Sequence, residues 1–428
     1  MIQKLRDALG SGAESPESLA AAAIAHANSN VGKNVYIALD AERVIREAKD
    51  LPSRFPEPQK PPLYGLPLSL KDCFDLSGFA TSCGSAAYAA LSGIKPNDSA
   101  VASRLRSQGD VIVGKTNLHP LAYGITGENP DYGDCAQPRD ATRLTGGSSS
   151  GAAASVQEGS AVAAIGTDTG GSIRAPSALC GLAGYRASID LANEQGLWLG
   201  CVPLAQSFDT LGWIFRDLED GPLLGHALFG LPIEDRSSRP MRIARVSDAF
   251  LHDCSPIVIE AFERWQHRLR EAGAEIVAFD SSYWDQAVEI YAPIQAYEAA
   301  AIHIPRLKGD LSRIPAAIAE RLVWGASLDP TQIKQLRTRH AEFRERIDTL
   351  LNDFDYVILP CAPTERLTLG ADHSQTRPRI LRYTVPMSLA GVPVVTLPDT
   401  SGAGVQLCAA RGQDARLLAL AAQFGSQT

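Results

Sequence analysis

Long apolar runs and clusters of basic residues are both missing from this chain. No stretch of its 428 residues reaches the roughly 18 consecutive apolar residues that a membrane-spanning helix needs. Its 40 basic residues are outnumbered by 48 acidic ones, giving a formal charge of -8, and no run of Lys and Arg could follow a phosphate backbone. The first residues, MIQKLRDALG, are charged where a secretory signal would be apolar. We therefore expect a cytoplasmic protein that binds neither a membrane nor a nucleic acid.

Cysteine and histidine are few and scattered. The eight cysteines form no C-x-x-C pair, and the eight histidines form no H-x-H or H-E-x-x-H pair, which are spacings typical of metal sites. With 45% apolar and 21% charged residues, the composition is that of a folded globular protein rather than a disordered chain or a coiled coil. We expect reduced thiols and no metal.

Helical and strand patterns alternate along the chain. Ser15 is the predicted N-cap of an early helix, and the alternating apolar residues of LYGLPLSLKDCFDL predict a strand that ends at Lys71. From about 200 to 353 the pattern becomes mainly helical, and YVILP and VPVVTLP then predict further strands. We predict a single α/β domain over 1–428, with an N-terminal helical region (1–58), a catalytic core (59–200 and 354–428) and a helical middle region (201–353).

The stretch GDVIVGKT, at 109–116, satisfies the P-loop pattern G-x-x-x-x-G-K-[ST]. A P-loop needs a strand, then a pliant loop around the phosphates, then a helix. Here a predicted helix, SAVASRLRSQ, comes first, and the middle of the motif is β-branched and suited to a strand. We therefore interpret Lys115 as the end of a core strand and not as a phosphate ligand.

The segment at 145–184, TGGSSSGAAASVQEGSAVAAIGTDTGGSIRAPSALCGLAG, consists almost wholly of small residues. Such density of glycine and serine allows close backbone approach and anion-holding turns. Its interleaved apolar runs would pack, so we do not interpret it as a flexible linker.

Two kinds of activated serine are compatible with this segment. GSSSG matches the nucleophile elbow G-x-S-x-G with Ser149 at its centre, but polar PRDATRLTG precedes it where a strand should lead in, and no later histidine is distinguished as its base. The alternative base is a lysine in water-excluding surroundings, since desolvation lowers the pKa of an ammonium group. Lys71, at the end of an apolar strand, is such a candidate.

Three stretches resemble the amidase signature family of serine hydrolases. GLPLSLKD is similar to the family's lysine strand, GGSSSG to its first serine loop and GTDTGGSIRAPSALCG to its nucleophile loop, and flanking matches extend the resemblance over most of the chain. The resemblance implies an α/β fold with a central mixed β-sheet covered by helices on both faces. It also implies an amidase that needs no cofactor.

Carried over by position, the resemblance implies that Lys71 is the general base, Ser148 a bridging serine after a cis peptide bond, and Ser172 the nucleophile. The two serines are 24 positions apart (148 to 172), as the family pattern requires, which selects Ser148 over Ser149 and Ser150. The backbone N–H groups of Thr169, Gly170, Gly171 and Ser172 are the implied oxyanion hole.

Other site residues are inferred beside these. We expect Asp168 and Arg174 to orient the nucleophile loop, as an ion pair or as hydrogen-bond partners. We expect substrate contacts from Gly124, Ile125 and Thr126, and Arg321 could bind a substrate carboxylate bidentately or lie on a solvated helix face.

Three functions remain open from the sequence. The first is an amidase for a small polar amide, which the 7% aromatic content and the lack of an amphipathic anchor favour over a long-chain lipid amide. The second is a glutamine-hydrolysing amidotransferase subunit. Ala175 and the stretch AGYRASID count against it, because they depart from the sequence pattern usual in such subunits. The third is an idle scaffold or binding module. A homodimer or a small accessory subunit is compatible with each.

Overall fold

The structure is a computed structural model that describes residues 1–30, 33–234 and 241–425. Its α-helices, in chain order, are α1 (Ile2–Ser11), α2 (Pro16–Ser29), α3 (Ala41–Arg54), α4 (Ala86–Ser92), α5 (Ala100–Ser107), α6 (Ser150–Glu158), α7 (Arg174–Leu179), α8 (Ile189–Glu194), α9 (Gly221–Phe229), α10 (Pro256–Glu271), α11 (Ala287–Arg306), α12 (Ala316–Ser327), α13 (Pro330–Asp353), α14 (Thr376–Ala390) and α15 (Asp414–Ala422). Its strands are β1 (Tyr36–Ala38), β2 (Pro67–Lys71), β3 (Val111–Thr116), β4 (Ala163–Asp168), β5 (Ala183–Arg186), β6 (Thr210–Phe215), β7 (Met241–Arg245), β8 (Ala274–Ala278), β9 (Tyr356–Pro360), β10 (Val394–Leu397) and β11 (Val405–Cys408). None of the helices in the described ranges is both long and apolar enough to cross a membrane.

One sheet contains all eleven strands of the described residues, in the order β1-β3-β2-β4-β6-β5-β10-β11-β9-β7-β8. It is mixed: β2 runs parallel to β3 and β4, and β7 runs parallel to β8 and β9, while the other neighbours are antiparallel. The predicted α/β class with a central mixed sheet is confirmed.

The centre of the sheet is covered on both faces. Every residue of β2, β3, β4, β5 and β6 is buried. Because successive side chains of a strand point to opposite faces, burial at every position requires packing on both sides. Most apolar side chains of these strands belong to one large hydrophobic cluster, while Ala164 and Ile214 belong to a second cluster and Val111 to a third.

The parallel pairing of β2 and β4 positions the site. Leu68 pairs with Ala163 and Leu70 with Ile165, so the two strands end at the same edge of the sheet. Lys71 is the last residue of β2, as predicted, and Asp168 is the last residue of β4. The loop that follows Asp168 therefore begins beside the lysine.

The residues that match the P-loop pattern, 109–116, have a structural role, as their sequence context indicated. The residues Val111–Thr116 form β3 and are all buried, and α5 precedes them. Lys115 forms an ion pair with Asp72 and donates to the Ala80 carbonyl oxygen at 2.8 Å. The lysine is thus held by core groups.

The interpretation of 201–353 as a helical region is incomplete, because this stretch also contributes three strands. β6 lies in the middle of the sheet between β4 and β5, and β7 and β8 form one edge. The sequence of β6, TLGWIF, is a short apolar run, and such a run has no periodicity that distinguishes a buried strand from part of a buried helix. The long amphipathic helices around it carry the stronger pattern.

A close helix crossing supports the helix that forms one wall of the site. α12 packs against α11 at Gly325, where a Cβ atom would lie 2.0 Å from the Ala296 carbonyl oxygen. Only a residue without a side chain allows this separation, because real Cβ atoms do not approach backbone oxygens so closely.

We expect Gly325→Ala to lower the free energy of unfolding by about 1–3 kcal/mol, because the added methyl group must push α12 away from α11. Urea denaturation followed by circular dichroism measures it. Gly10→Ala, in α1, is the matched control: nothing lies within 4 Å of a Cβ there, and we expect no loss of stability. Equal stability of both variants would contradict the close crossing.

Candidate active site

Lys71 and Ser148 are in hydrogen-bond contact in the protein interior. Lys71 Nζ lies 2.8 Å from Ser148 Oγ and 2.9 Å from Thr167 Oγ1, with a longer contact of 3.5 Å to the Thr167 carbonyl oxygen. Lys71 and Ser148 are both fully buried. These three partners are neutral, and burial lowers the pKa of Lys71 from its ordinary value of 10.5. The site therefore favours a neutral amine that can accept a proton.

Ser148 is held by the tight backbone around it. The Gly147–Ser148 peptide bond is cis, as the resemblance implied. The Ser148 carbonyl oxygen accepts from the backbone N–H of His119 at 3.0 Å, and the N–H of Gly147 donates to the Ile125 carbonyl oxygen at 2.8 Å. A Cβ on Gly147 would lie 2.8 Å from the backbone nitrogen of Gly127, so the sequence needs glycine there. Gly146 and Gly147 thus permit the loop that carries Ser148 to approach the loop at 125–127 closely.

Ser172 lies on the loop between β4 and α7, next to the first serine loop. The Ser149 N–H donates to the Ser172 carbonyl oxygen at 3.3 Å, which joins the two loops. Ser172 retains 5% of its surface exposed, whereas Ser148, Ser149 and Lys71 are at 0%. Ser172 is therefore the serine of this group that a ligand can reach.

Asp168 shapes the nucleophile loop. Its carboxylate accepts from Arg174 Nη2 at 2.8 Å and from Arg186 Nη1 at 2.9 Å, and all three side chains are fully buried. Burial alone would raise the pKa of Asp168, but the two guanidinium groups hold it well below its ordinary value. Asp168 and Arg174 thus form the pair expected from the sequence, and Arg186 is a third member that was not anticipated.

The backbone N–H groups of the loop have different partners. The Gly171 N–H donates to Asp168 Oδ1 at 2.9 Å, and the Ile173 N–H donates to Asp168 Oδ2 at 3.1 Å. Gly171 therefore uses its donor inside the loop, contrary to its expected place in the oxyanion hole. The N–H groups of Thr169, Gly170 and Ser172, the other expected donors, have no acceptor among the described residues, and all three residues line the cleft.

A small cleft opens beside Ser172. Its walls include Gly124, Ile125, Gly170 and Tyr291, and the volume in it that the centre of a water-sized sphere can occupy is about 10 Å³. A cavity needs about 10–15 Å³ by this measure to hold one water molecule. Gly170 must be glycine because a Cβ would lie 2.4 Å from the Tyr291 hydroxyl oxygen. The cleft is therefore narrow beside Ser172.

Of the four predicted substrate contacts, the structure places two in the cleft. Gly124 and Ile125 line it. Thr126 donates to Glu128 Oε2 at 2.7 Å instead. Arg321 donates to the Tyr123 carbonyl oxygen at 2.6 Å, and its guanidinium carbon lies 4.7 Å from the centre of the Tyr123 ring. It therefore packs against a residue of the cleft wall.

The cleft residues that were not identified from the sequence include Tyr291 and Gln295 on α11, and Arg377 on α14. Gln295 Nε2 donates to the Tyr291 hydroxyl at 2.5 Å. They lie on helices far along the chain from the serine loops, and no local motif marks them. Within the described ranges, no three His, Cys, Asp or Glu side chains are grouped so as to hold a metal ion.

Ser149 does not have the surroundings of a nucleophile elbow. Its Oγ donates to the Thr167 carbonyl oxygen at 3.4 Å, and it stands at the N-cap of α6. No strand leads into it, since the residues from 145 to 149 are in irregular structure. The side chain is thus directed into the core of the loop.

Comparison with known proteins shows strong similarity over the whole chain. A family model described as Amidase matches residues 18–418. The A subunit of the glutamyl-tRNA(Gln) amidotransferase from Legionella pneumophila (strain Corby) is 28% identical, over 94% of this chain and 91% of the relative. A crystal structure of an amidase matches with a TM-score of 0.89 and 30% identity, over 99% of this chain and 98% of the other. A structure of a vestigial protein complex that reveals the evolutionary origins of an s-triazine catabolic enzyme matches with a TM-score of 0.86 and 26% identity, over 98% and 96% of the two chains.

We expect Asp168→Asn to lower the free energy of unfolding by about 3–5 kcal/mol, because it leaves two buried guanidinium groups without their counter-charge. Urea denaturation measures the loss. Asp7→Asn, on the exposed face of α1, removes the same charge at the surface and should change stability by less than about 0.5 kcal/mol. An Asp168 variant as stable as the Asp7 variant would show that the buried cluster does not hold the loop.

Proposed function

The chain belongs to the amidase family of C–N bond hydrolases, whose model matches residues 18–418, and from that premise we propose that Lys71, Ser148 and Ser172 cleave a small carboxamide through an acyl-enzyme. The observation that carries the proposal is the buried contact of 2.8 Å between Lys71 Nζ and Ser148 Oγ. A lysine surrounded by neutral partners is a base, and the serine that it contacts adjoins the loop of the accessible Ser172.

The first step moves protons along this chain of groups. Neutral Lys71 accepts the proton of Ser148 Oγ, and Ser148 accepts that of Ser172 Oγ as Ser172 attacks the amide carbonyl carbon. The carbonyl oxygen becomes an oxyanion, and the N–H groups of Thr169, Gly170 and Ser172 are available to donate to it. Lys71 is then an ammonium ion, and the positive charge balances the oxyanion.

The second step breaks the C–N bond. The proton held by Lys71 returns through Ser148 to the nitrogen of the substrate, which leaves as ammonia or an amine. A water molecule then attacks the acyl-enzyme ester, its proton passes to the same relay, and Ser172 leaves as an alcohol. The products are a carboxylic acid and an amine, and the three side chains end in their starting states.

The size of the cleft supports a small substrate. The cleft beside Ser172 is narrow, with about 10 Å³ open to the centre of a water-sized sphere, and its lining includes Tyr291 and Gln295, whose side chains carry a hydroxyl and an amide group. We therefore propose a small polar carboxamide that reacts in the cytoplasm.

A second candidate is the hydrolysis of glutamine as part of a complex. The similarity to amidotransferase A subunits over 94% of the chain favours it. Such a subunit would hydrolyse glutamine poorly alone and co-purify with a partner, whereas an active, monodisperse chain contradicts it. A catalytically idle scaffold is the third possibility, and fluorophosphonate labelling separates it from the other two.

We expect a fluorophosphonate probe to label Ser172, because it reports an activated serine without knowledge of the substrate. Peptide mass spectrometry locates the modified residue. Ser172→Ala should abolish labelling, and Lys71→Ala should slow it by about 10²–10⁴-fold, the range that a general base contributes. Ser149→Ala is the control and should label at the normal rate, since Ser149 Oγ is bound to the Thr167 carbonyl oxygen. Label on Ser149 would support the nucleophile elbow, and no label on any serine would support an idle site.

We expect the labelling rate of the free protein to rise with pH along a single deprotonation of Lys71. Burial lowers the pKa of Lys71 from 10.5, so the midpoint should lie below that value. Below the midpoint Lys71 is protonated and inactive, and above it the amine is neutral and active. Because the folded pKa is below the unfolded one, the same group adds stability as pH rises between the two values. Lys71→Arg stays charged and should be inactive at every pH, and a rising profile in that variant would exclude Lys71 as the base.

A further inference from the structure

Arg377 stands in the wall of the same cleft as Ser172 and Gly170. It lies in the first turn of α14, on the helix face that borders the nucleophile loop. Leu381, four residues on, also lines the cleft, and Thr384, seven residues on, donates from Oγ1 to the Gly170 carbonyl oxygen at 2.5 Å. Positions i, i+4 and i+7 share one side of a helix. The hydrogen bond at Thr384 therefore fixes the position of Arg377 relative to the loop.

The guanidinium group of Arg377 has no partner among the described residues. Its Nε is buried without a hydrogen-bond acceptor, and no carboxylate of the described ranges forms an ion pair with it. Its neighbours Arg379 and Arg382 are both paired with Asp253. An unpaired buried polar group costs free energy, and the cost is larger for a charged one. The Arg377 side chain as a whole is half-buried, so its guanidinium group is available to pair with a negatively charged ligand in the cleft.

The surroundings of Arg377 are electropositive. The cleft walls include no Asp or Glu among the described residues. Burial lowers the pKa of Arg377, and the phenol groups of Tyr123 and Tyr291 act to raise it. Burial and then the charge of Arg377 lower the pKa of Arg321 to about 10. Burial first, and then these two arginines, lower the pKa of His119 to about 3, so this histidine is neutral.

The position of Arg377 in its helix also favours an anion. The amino-terminal turn of a helix carries a partial positive charge, so a cation there is unfavourable and an anion is favourable. Arg377 is the second residue of α14, a helix of 15 residues. The guanidinium and the helix terminus therefore act together on a negative group in the cleft.

We propose that Arg377 binds a carboxylate on the substrate. The protein then hydrolyses small carboxamides that also bear a carboxylate, with the two groups close enough together to bind in the same cleft. This inference rests on the proposed function and specifies its substrate class. A planar guanidinium group can donate two parallel hydrogen bonds to a carboxylate. Arg321 is less suited to the role, since it donates to the Tyr123 carbonyl oxygen and the Ala317 carbonyl oxygen.

The chemistry is that of the amide group, and the carboxylate takes no part in bond changes. Ser172 Oγ forms a bond to the carbonyl carbon, the C–N bond breaks, and the nitrogen leaves with the proton of Ser172. Water then cleaves the ester. An acid with one amide group thus yields a dicarboxylate and an ammonium ion, and Arg377 retains the original carboxylate throughout.

The test uses pairs of ligands that match in size and differ in charge. Malonamate, succinamate and glutaramate, each with one amide and one carboxylate, are compared with malonamide, succinamide and glutaramide. The measured quantity is protection of Ser172 from the fluorophosphonate probe, with ammonia release as a second readout. The proteins are wild type, Arg377→Gln, Arg377→Lys and the control Arg379→Gln, which changes an exposed arginine two residues away.

We expect at least one amide acid to protect wild type about tenfold better than its diamide. Arg377→Gln should weaken binding of that acid by about 10- to 100-fold and weaken binding of its diamide far less, as loss of a charge-assisted contact implies. Arg377→Lys should restore part of the affinity for the acid, and Arg379→Gln should match wild type. Labelling of Ser172 without ligand shows that each variant retains a folded site, and protection is measured relative to the unprotected labelling rate of the same variant.

The two proposals fail in different ways. If Ser172 is labelled but wild type binds the three acids no better than the diamides, the carboxylate inference is overturned and the proposed function stands. The carboxylate inference is also overturned, and the proposed function stands, if the Arg377→Gln variant still binds the acids better than the diamides. If no probe reacts at Ser172, the proposed function is overturned, and the inference that rests on it falls with it.

Discussion

The loop that carries Ser172 depends on one buried carboxylate. Asp168 ends β4 and accepts hydrogen bonds from the backbone of the loop and from Arg174 and Arg186. Arg174 in turn donates to the Thr384 carbonyl oxygen at 2.6 Å, so the cluster extends to α14. Buried charges are tolerated only when each is paired, because an unpaired one bears the full cost of desolvation. The end of the strand, the nucleophile loop and the cleft wall are therefore fixed relative to one another by the same set of charges.

Two neighbouring buried lysines show how pairing separates structure from chemistry. Lys71 ends β2, and Lys115 is the penultimate residue of the adjacent parallel strand β3, where it pairs with Leu70. Asp72 directly follows Lys71 in the chain but forms its ion pair with Lys115. Asp72 begins the turn after β2, and its carboxylate is held by Lys115 and by the backbone N–H of Ser82. One lysine is thereby a structural cation, and the other is left among hydroxyl groups, where the neutral form is favoured.

Local patterns were enough to predict much of the framework. The N-cap at Ser15, the strand ending at Lys71 and the strand character of 111–116 all follow from the properties of a few consecutive residues, and each is present. β6 was missed because a short apolar run is ambiguous, and because its place between β4 and β5 depends on pairing with strands far away in the chain. Cysteine scarcity and scatter agree with the eight unpaired thiols of the structure.

The α/β class, the family and the residue types on the lysine strand and the two serine loops follow from the sequence alone, because these features lie in short stretches whose spacing is visible in one dimension. Which N–H groups remain available at the cleft depends on the tertiary structure, since Asp168 takes that of Gly171 and leaves those of Thr169, Gly170 and Ser172. The tertiary structure also decided between two arginines that look alike in the sequence. Arg321 is engaged by the backbone of Tyr123, while Arg377 stands unpaired in the cleft. Hydrogen-bond partners and burial arise from contacts between segments hundreds of residues apart, and no local pattern encodes them.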